Sequence, residues 1–579
     1  MHFPKIHLPA MTLLLATCVS LAGAQSTPSP GTTAAPPALS GGDKLLGGYG
    51  PYRANNDLLH YSLHVRVDPE KQFISGMNAI RFRMLEDGNR IQLDLVPTFS
   101  IDGILLEQSH GAPKPLTYQR IAGRSIYVDF SHTLRKGQVY TVDFHFSGHP
   151  VEMGRFGGFV FRKDPMGRPL VNTACEEEGA SVWWPNKDQW RDEVESMDMS
   201  VEAPSDLVEV SGGRFQGKTD LHDGFTRWNW KVHYPINNYD VSLNIGTYTH
   251  FSDSYNGLSL DYYVFPEDLD KAKKQFVQVK DMLKAYEHYF GEYPFPKDGY
   301  KLVEALYSGV ENQTAITYGN HFQNGYLGRP KTGIGTWFDF IIIHESAHEW
   351  FGNSITARDR SDMWIHEGWA NYCESLFVEF MWGKTDGLIY LNTGKQGVKN
   401  AQPVIAEEGI YATPPVDQYK KGALFLNTVR SVVNDDAVWF KLLHDYYQHF
   451  KYQTIMTTDM VAFFNQETGL NLTPMFNQYL RHAAIPTLEL QFNEAAHTVS
   501  YRWDAEEPGF AMPIRVGRKD DWQIVQPSTT EWKVLSSPLS KDEFEVATDL
   551  YYVNVDMQGA AFNATVPSHG EVLLKVSVQ

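Results

Sequence analysis

The chain has 579 residues, 42% of them hydrophobic, and a formal net charge of −19. That length implies several domains rather than one. The surplus of acid, 69 Asp and Glu against 50 Lys and Arg, argues against nucleic acid and anionic membranes as partners. With only 3 cysteines there is no disulfide framework, so stability has to come from buried core.

Residues 1–24 read as a secretory signal. They offer Lys5, a short apolar stretch from Met11 to Leu21, and Ala22-Gly23-Ala24 as a cleavage site. The apolar run is too short to cross a bilayer, and no integral membrane segment is expected elsewhere. An alternative makes Cys18 a lipoprotein anchor. Residues 25–42, rich in Ser, Thr, Pro, Ala and Gly, form a flexible linker. Export of a chain left with Cys175 and Cys373 suits a periplasm or the cell exterior.

Residues 43–252 read as a β domain. Tyr61, Leu63, Val65 and Val67 alternate, as do Ile80, Phe82 and Met84, then Ile91, Leu93 and Leu95, then Tyr140, Val142, Phe144 and Phe146. Such runs, separated by turn residues, predict a large and mostly antiparallel sheet. Near Glu267 the period changes. Leu269, Ala272, Phe276, Val279, Leu283 and Tyr286 lie three or four apart, predicting a helix that Gly291 closes. Residues 253–484 are therefore expected to be chiefly helical. Alternation returns in 485–579 with Leu488, Leu490 and Phe492, with Val499, Tyr501 and Trp503, and with Val572, Leu574, Val576 and Val578, implying a small β-sandwich. The fold class expected is multidomain α+β. No repeat of solenoid period is found.

The helical part contains His344-Glu345-Ser346-Ala347-His348, and Glu367 follows nineteen positions after His348. Positions i and i+4 share a helix face, so the two imidazoles can grip one metal ion. Glu345, one residue along, can reach a water activated by that metal without being a ligand. Glu367 is well placed to supply the third ligand. Two histidines, one carboxylate and an open position describe a catalytic site for one zinc ion. A buried helix is expected from Trp337, Phe338, Phe340, Ile341, Ile342 and Ile343, and burying imidazoles there is costly without a partner such as a metal. Phe351 and Ser354 stand where an elongated metzincin pattern needs its glycine and third histidine. A second helix is expected from an N-cap at Ser361 to a stop at Gly383, with His366 pointing away from the metal.

His344-Glu345-x-x-His348, eighteen intervening residues and Glu367 are similar to the motif of the aminopeptidase N and leukotriene hydrolase family of zinc peptidases. Ser308-Gly309-Val310-Glu311-Asn312 resembles that family's Gly-x-Met-Glu-Asn exopeptidase motif, with Ser308 and Val310 as departures. Tyr419-Lys420-Lys421-Gly422 resembles its Tyr-x-Lys-Gly motif. The resemblance implies a saddle-like N-terminal β domain, a thermolysin-like catalytic domain and a C-terminal β-sandwich. It implies Glu345 as general base and Tyr419 as donor to the oxyanion. Glu311, with Gly309, Val310 and Asn312, would bind the substrate's free α-amine. A second amine-binding carboxylate follows a cysteine in the family, which points to Glu176, with Glu177 and Glu178 as competitors for the register. Asn371 is a candidate to orient a ligand. The substrates implied are peptides with a free N-terminus. Many relatives continue into a large helical domain; the expectation here is a more open site or a cleft closed by a second subunit, which leaves an oligomer open. The alternatives are a thermolysin-type endopeptidase, an epoxide hydrolase or a non-catalytic peptide-binding relative.

Overall fold

The computed structural model describes residues 41–330, 334–519, 521–557 and 561–562. The expected signal and Cys18, most of the linker and the alternation from Val572 to Val578 lie outside these residues.

Alternation in the first half produces the sheet it predicts. Tyr61, Leu63, Val65 and Val67 turn one face of strand Asn56–Asp68 into the core. That strand lies in the middle of an eight-stranded sheet, paired antiparallel with Phe73–Met84 on one side. On its other side it runs parallel to Ser196–Pro204, with His60 opposite Ser196. A parallel partner so far along the chain cannot be read from alternation, which reports faces and not neighbours. A four-stranded sheet contains Pro169–Ala174, whose end delivers Cys175 and Glu176.

A five-stranded sheet of Thr249–Tyr255, Leu258–Val264, Tyr300–Glu304, Ile316–Tyr318 and Gly309–Val310 stands beside the helices. One of its two edge strands is Gly309–Val310, antiparallel to Ile316–Tyr318. The helix expected over 269–290 is broken into α1 (Leu269–Gln275) and α2 (Gln278–Phe290). The helical period passes through the break because Phe276 stays buried while Val277 is turned out to solvent. Gly291, at φ 99°, ends α2 as expected.

Helix α3 (Phe340–Ala347) starts at Asp339, whose carboxylate accepts from the N–H groups of Ile341 and Ile342. Trp337 and Phe338 precede the cap and are not helical; Trp337 is 41% exposed. Helix α4 (Trp364–Trp382) is preceded by a turn, Arg360–Asp362, in which Asp359 accepts from the Ser361 N–H. Ser361 is therefore not the cap of α4, contrary to expectation, because Asp359 already caps that preceding turn. Gly383, at φ 107°, stops α4 where expected.

Helix α5 (Asp417–Val433) crosses α4 at two glycines. A Cβ on Gly422 would lie 2.8 Å from the Gly368 Cα, so neither position has room for a side chain. The crossing brings Tyr419, one turn before Gly422, alongside Glu367. Beyond the helices, residues 487–557 and 561–562 carry a five-stranded and a three-stranded sheet. The architecture is thus an N-terminal β domain, a helical middle and a C-terminal β region, and the buried apolar side chains form one cluster from Leu58 to Val555.

Candidate active site

His344 and His348 sit at the end of α3, ring centroids 5.1 Å apart and nearly perpendicular. Glu367, on the first turn of α4, brings Oε2 to 3.4 Å from His344 Nε2 and 3.6 Å from His348 Nε2. The outer nitrogens are already committed. His344 Nδ1 donates to Glu374 Oε1 at 2.7 Å, and Tyr390 donates to the other oxygen of that carboxylate at 2.6 Å. His348 Nδ1 donates to the Phe351 carbonyl at 3.0 Å. Both imidazoles thus commit Nδ1 to an outer acceptor and turn Nε2 towards Glu367.

Two of these inward atoms, His348 Nε2 and Glu367 Oε2, are buried without a hydrogen-bond partner. Orphaned donors and acceptors of this kind cost free energy unless something binds them. Two imidazole nitrogens and a carboxylate oxygen within 4.8 Å of one another fit a zinc ion. The electrostatics agree. Burial holds His348 down at about 4, so it is neutral and ready to ligate. Burial opposes charge on His344 too, but Glu367 and Glu374 outweigh it and raise the ring to about 10, so a metal binding there displaces the Nε2 proton. Glu367 is pushed up by burial, yet His344, His348 and Tyr419 bring it to about 2, so it is ionised.

Glu345 is buried, and its Oε1 lies where Gly309 leaves space: a Cβ on that glycine would come within 2.8 Å of it. The bare backbone of the edge strand therefore admits the carboxylate. Tyr419 lies nearly parallel to the His344 ring, centroids 6.3 Å apart, and helps to keep Glu367 ionised.

Next to the metal ligands is a second group of acids. Glu176, Glu311 and Glu367 offer oxygens within 4.8 Å of one another, all buried. Burial raises Glu176 well above the usual carboxylate range, and Glu311, Glu367 and Glu345 raise it further. Burial likewise raises Glu311, with Glu367 and Glu345 adding to it. Tyr239 donates to Glu311 Oε1 at 3.0 Å, and Asn353 donates to the Glu311 carbonyl at 2.8 Å, fixing both ends of the residue. Packed acids that repel one another in this way call for a cation. They line a cleft of about 270 Å³ together with Gly309, Val310, His344 and Glu345.

The metal-binding and acidic residues singled out from sequence thus come together, with one adjustment. Asn371 reaches the cleft, but its Nδ2 has no hydrogen-bond partner, and it is Glu374 that orients a ligand. Glu374 lies seven residues after Glu367, on the same face of α4, a spacing that could have identified it. Asn312 is buried beside Glu311, and its Nδ2 also lacks a partner. His366 points away, its Nε2 accepting from the Ala357 N–H at 2.7 Å.

This constellation is that of a metallopeptidase site. The sequence matches the Peptidase M1 N-terminal domain over residues 58–239 and the Peptidase family M1 domain over residues 275–479. Together these stretches take in well over half of the chain, which belongs to the M1 family of zinc peptidases. Endoplasmic reticulum aminopeptidase 1 of Homo sapiens is 24% identical over 341 residues, 56% of this chain and 36% of that protein. Aminopeptidase B of Rattus norvegicus is 25% identical over 408 residues, 64% of this chain and 60% of that protein. The chain thus spans between about a third and three fifths of the length of these curated relatives. The fold is also that of an M1 zinc metallopeptidase mutant from Deinococcus radiodurans, solved with a Tyr-Ser-Ala substrate. The likeness has a TM-score of 0.59 at 20% identity and covers 74% of this chain and 95% of that one.

Proposed function

We propose that the protein is a zinc-dependent aminopeptidase that hydrolyses the N-terminal peptide bond of peptides. The observation that carries this reading is the adjacency of two sites, a zinc-fitting triad and a buried pair of acids, Glu176 and Glu311, beside it. Zinc, when bound by His344, His348 and Glu367, polarises a carbonyl and makes water acidic enough to attack near neutral pH.

The chain's own groups do the rest. Glu345 takes the proton of the attacking water and then hands it to the departing amine, acting as base and then as acid. Tyr419 donates its phenolic hydrogen to the oxyanion of the tetrahedral intermediate, a position its stacking on His344 supports. The edge strand Gly309–Val310 offers backbone groups along which an extended peptide can lie. Glu311 and Glu176 hold the ammonium group and end the cleft, so that one residue precedes the scissile bond.

The experiment compares a peptide with its N-acetylated form. Cleavage of the first bond only in the free peptide is expected. Equal cleavage of both would show that the acids do not read the amine and would favour a thermolysin-type endopeptidase. Export to a periplasm or the medium is part of the proposal and rests on Lys5, the stretch Met11 to Leu21 and Ala22-Gly23-Ala24. Among the described residues, no helix is long and apolar enough to cross a membrane.

A further inference from the structure

Three glutamates, Glu176, Glu177 and Glu178, follow one another, and of the three it is Glu176 that lines the cleft. In the structure each of their carbonyls is held by a donor. Arg360 Nη1 donates to the Glu176 carbonyl at 2.9 Å and Nη2 to the Glu177 carbonyl at 2.8 Å. The Tyr411 hydroxyl donates to the same Glu177 carbonyl at 3.2 Å. Arg124 Nη1 donates to the Glu178 carbonyl at 2.6 Å. With the backbone fixed in this way the side chains diverge. Glu176 enters the cleft, whereas Glu178 is buried against Gly154, where a Cβ would collide with its carboxylate.

Arg360 is itself held firmly. Its guanidinium lies over the ring of Tyr411 at 4.5 Å and over that of Trp190 at 5.0 Å, and the residue is buried. It belongs to the turn Arg360–Asp362 that leads directly into α4, the helix bearing Glu367. One side chain therefore ties the start of the metal-ligand helix to the backbone of a segment 184 residues away in sequence.

We infer that Arg360, assisted by Tyr411, is a positioning residue that sets the register of the acidic run and so delivers Glu176 to the substrate amine. This deepens the aminopeptidase reading and rests on it. A lysine cannot take the place of Arg360, because a single ammonium cannot bridge two successive carbonyls while lying flat between two rings.

The test measures kcat and KM of Arg360→Lys, Tyr411→Phe, Glu176→Gln and the double variant R360K/E176Q. The substrate is the aminoacyl p-nitroanilide that the unaltered enzyme turns over fastest, and zinc content is measured on the same samples. Arg360→Lys is expected to raise KM about ten-fold, with kcat changed much less, because a displaced anchor weakens binding of the amine. Tyr411→Phe should raise KM by about two- to five-fold, since one of two bonds to the Glu177 carbonyl remains. Adding R360K to E176Q should cost little more than E176Q alone, because the arginine acts through that glutamate. An unchanged KM in R360K, a loss confined to zinc content, or effects that multiply in full in the double variant would overturn the inference while leaving the amine site intact. A Glu176→Gln enzyme with unaltered KM would instead overturn the role of Glu176, and the inference with it. If R360K does not fold, Tyr411→Phe decides: an unchanged KM there refutes the clamp.

Discussion

At the metal end of the cleft, the three inward side chains come from α3 and α4, which follow one another, and each imidazole has its own outward partner. At the amine end, Glu176 and Glu311 follow strands of different sheets, and the backbone at Glu176 and Glu177 is held by bonds from two further segments. The metal end is local and pre-organised, with its ring orientations set by the next helix and by a carbonyl just past α3. The amine end is assembled over long distances and holds mutually repelling acids that an ammonium group would neutralise. Chelation can therefore be built on short-range spacing, whereas recognition of a chain terminus needs the domains to meet.

The most severe way to break this comparison is at the metal end. His348→Ala should leave no stoichiometric zinc and no measurable turnover, since it removes a buried ligand from a set of three. Elemental analysis alongside a peptide assay checks this; a variant that kept zinc would make His348 dispensable. Next comes Glu374→Gln, which leaves an acceptor for His344 Nδ1 but removes its charge. Zinc affinity, measured by competition with a chelator, should fall about 10- to 100-fold, with less change in the turnover of fully loaded enzyme.

The effect furthest from turnover concerns a buried acid outside the cleft. Glu209 is lifted to about 8 by burial, even though Ser211 and Trp230 donate hydrogen bonds to it. A carboxyl raised in the folded state binds its proton more tightly there than in the unfolded chain. Its contribution is thus full below the ordinary value of 4.5 and is lost as the pH rises through about 8. The loss is on the order of 1 kcal/mol per pH unit in that window. Glu209→Gln should remove it, so that Tm falls less between about pH 5 and pH 9 than in the unaltered protein. Identical pH profiles would mean that Glu209 is not neutral in the fold.

The same contrast governs what the sequence made legible. His344, His348 and Glu367 were readable because a helix converts spacing into geometry, and alternation in Tyr61 to Val67 gave a buried face for the same reason. Glu374 is equally legible, by its place on the face of Glu367, one turn beyond Asn371. Glu311 and Tyr419 were reached only through resemblance, since nothing local distinguishes a glutamate on an edge strand or a tyrosine on a helix. The Ser361 cap failed because Asp359 was free to cap an earlier turn. The clamp of Arg360 on the acidic run, like the parallel pairing of Asn56–Asp68 with Ser196–Pro204, joins distant segments and leaves no periodic trace.

The account stands most directly on Glu345 as the group that moves the proton while the ligands hold zinc. The decisive measurement is zinc content and peptide turnover of Glu345→Gln on one purified sample. One zinc per chain with turnover lowered by about 10²- to 10⁴-fold is the predicted result. Turnover at an unchanged rate in that variant would contradict the account.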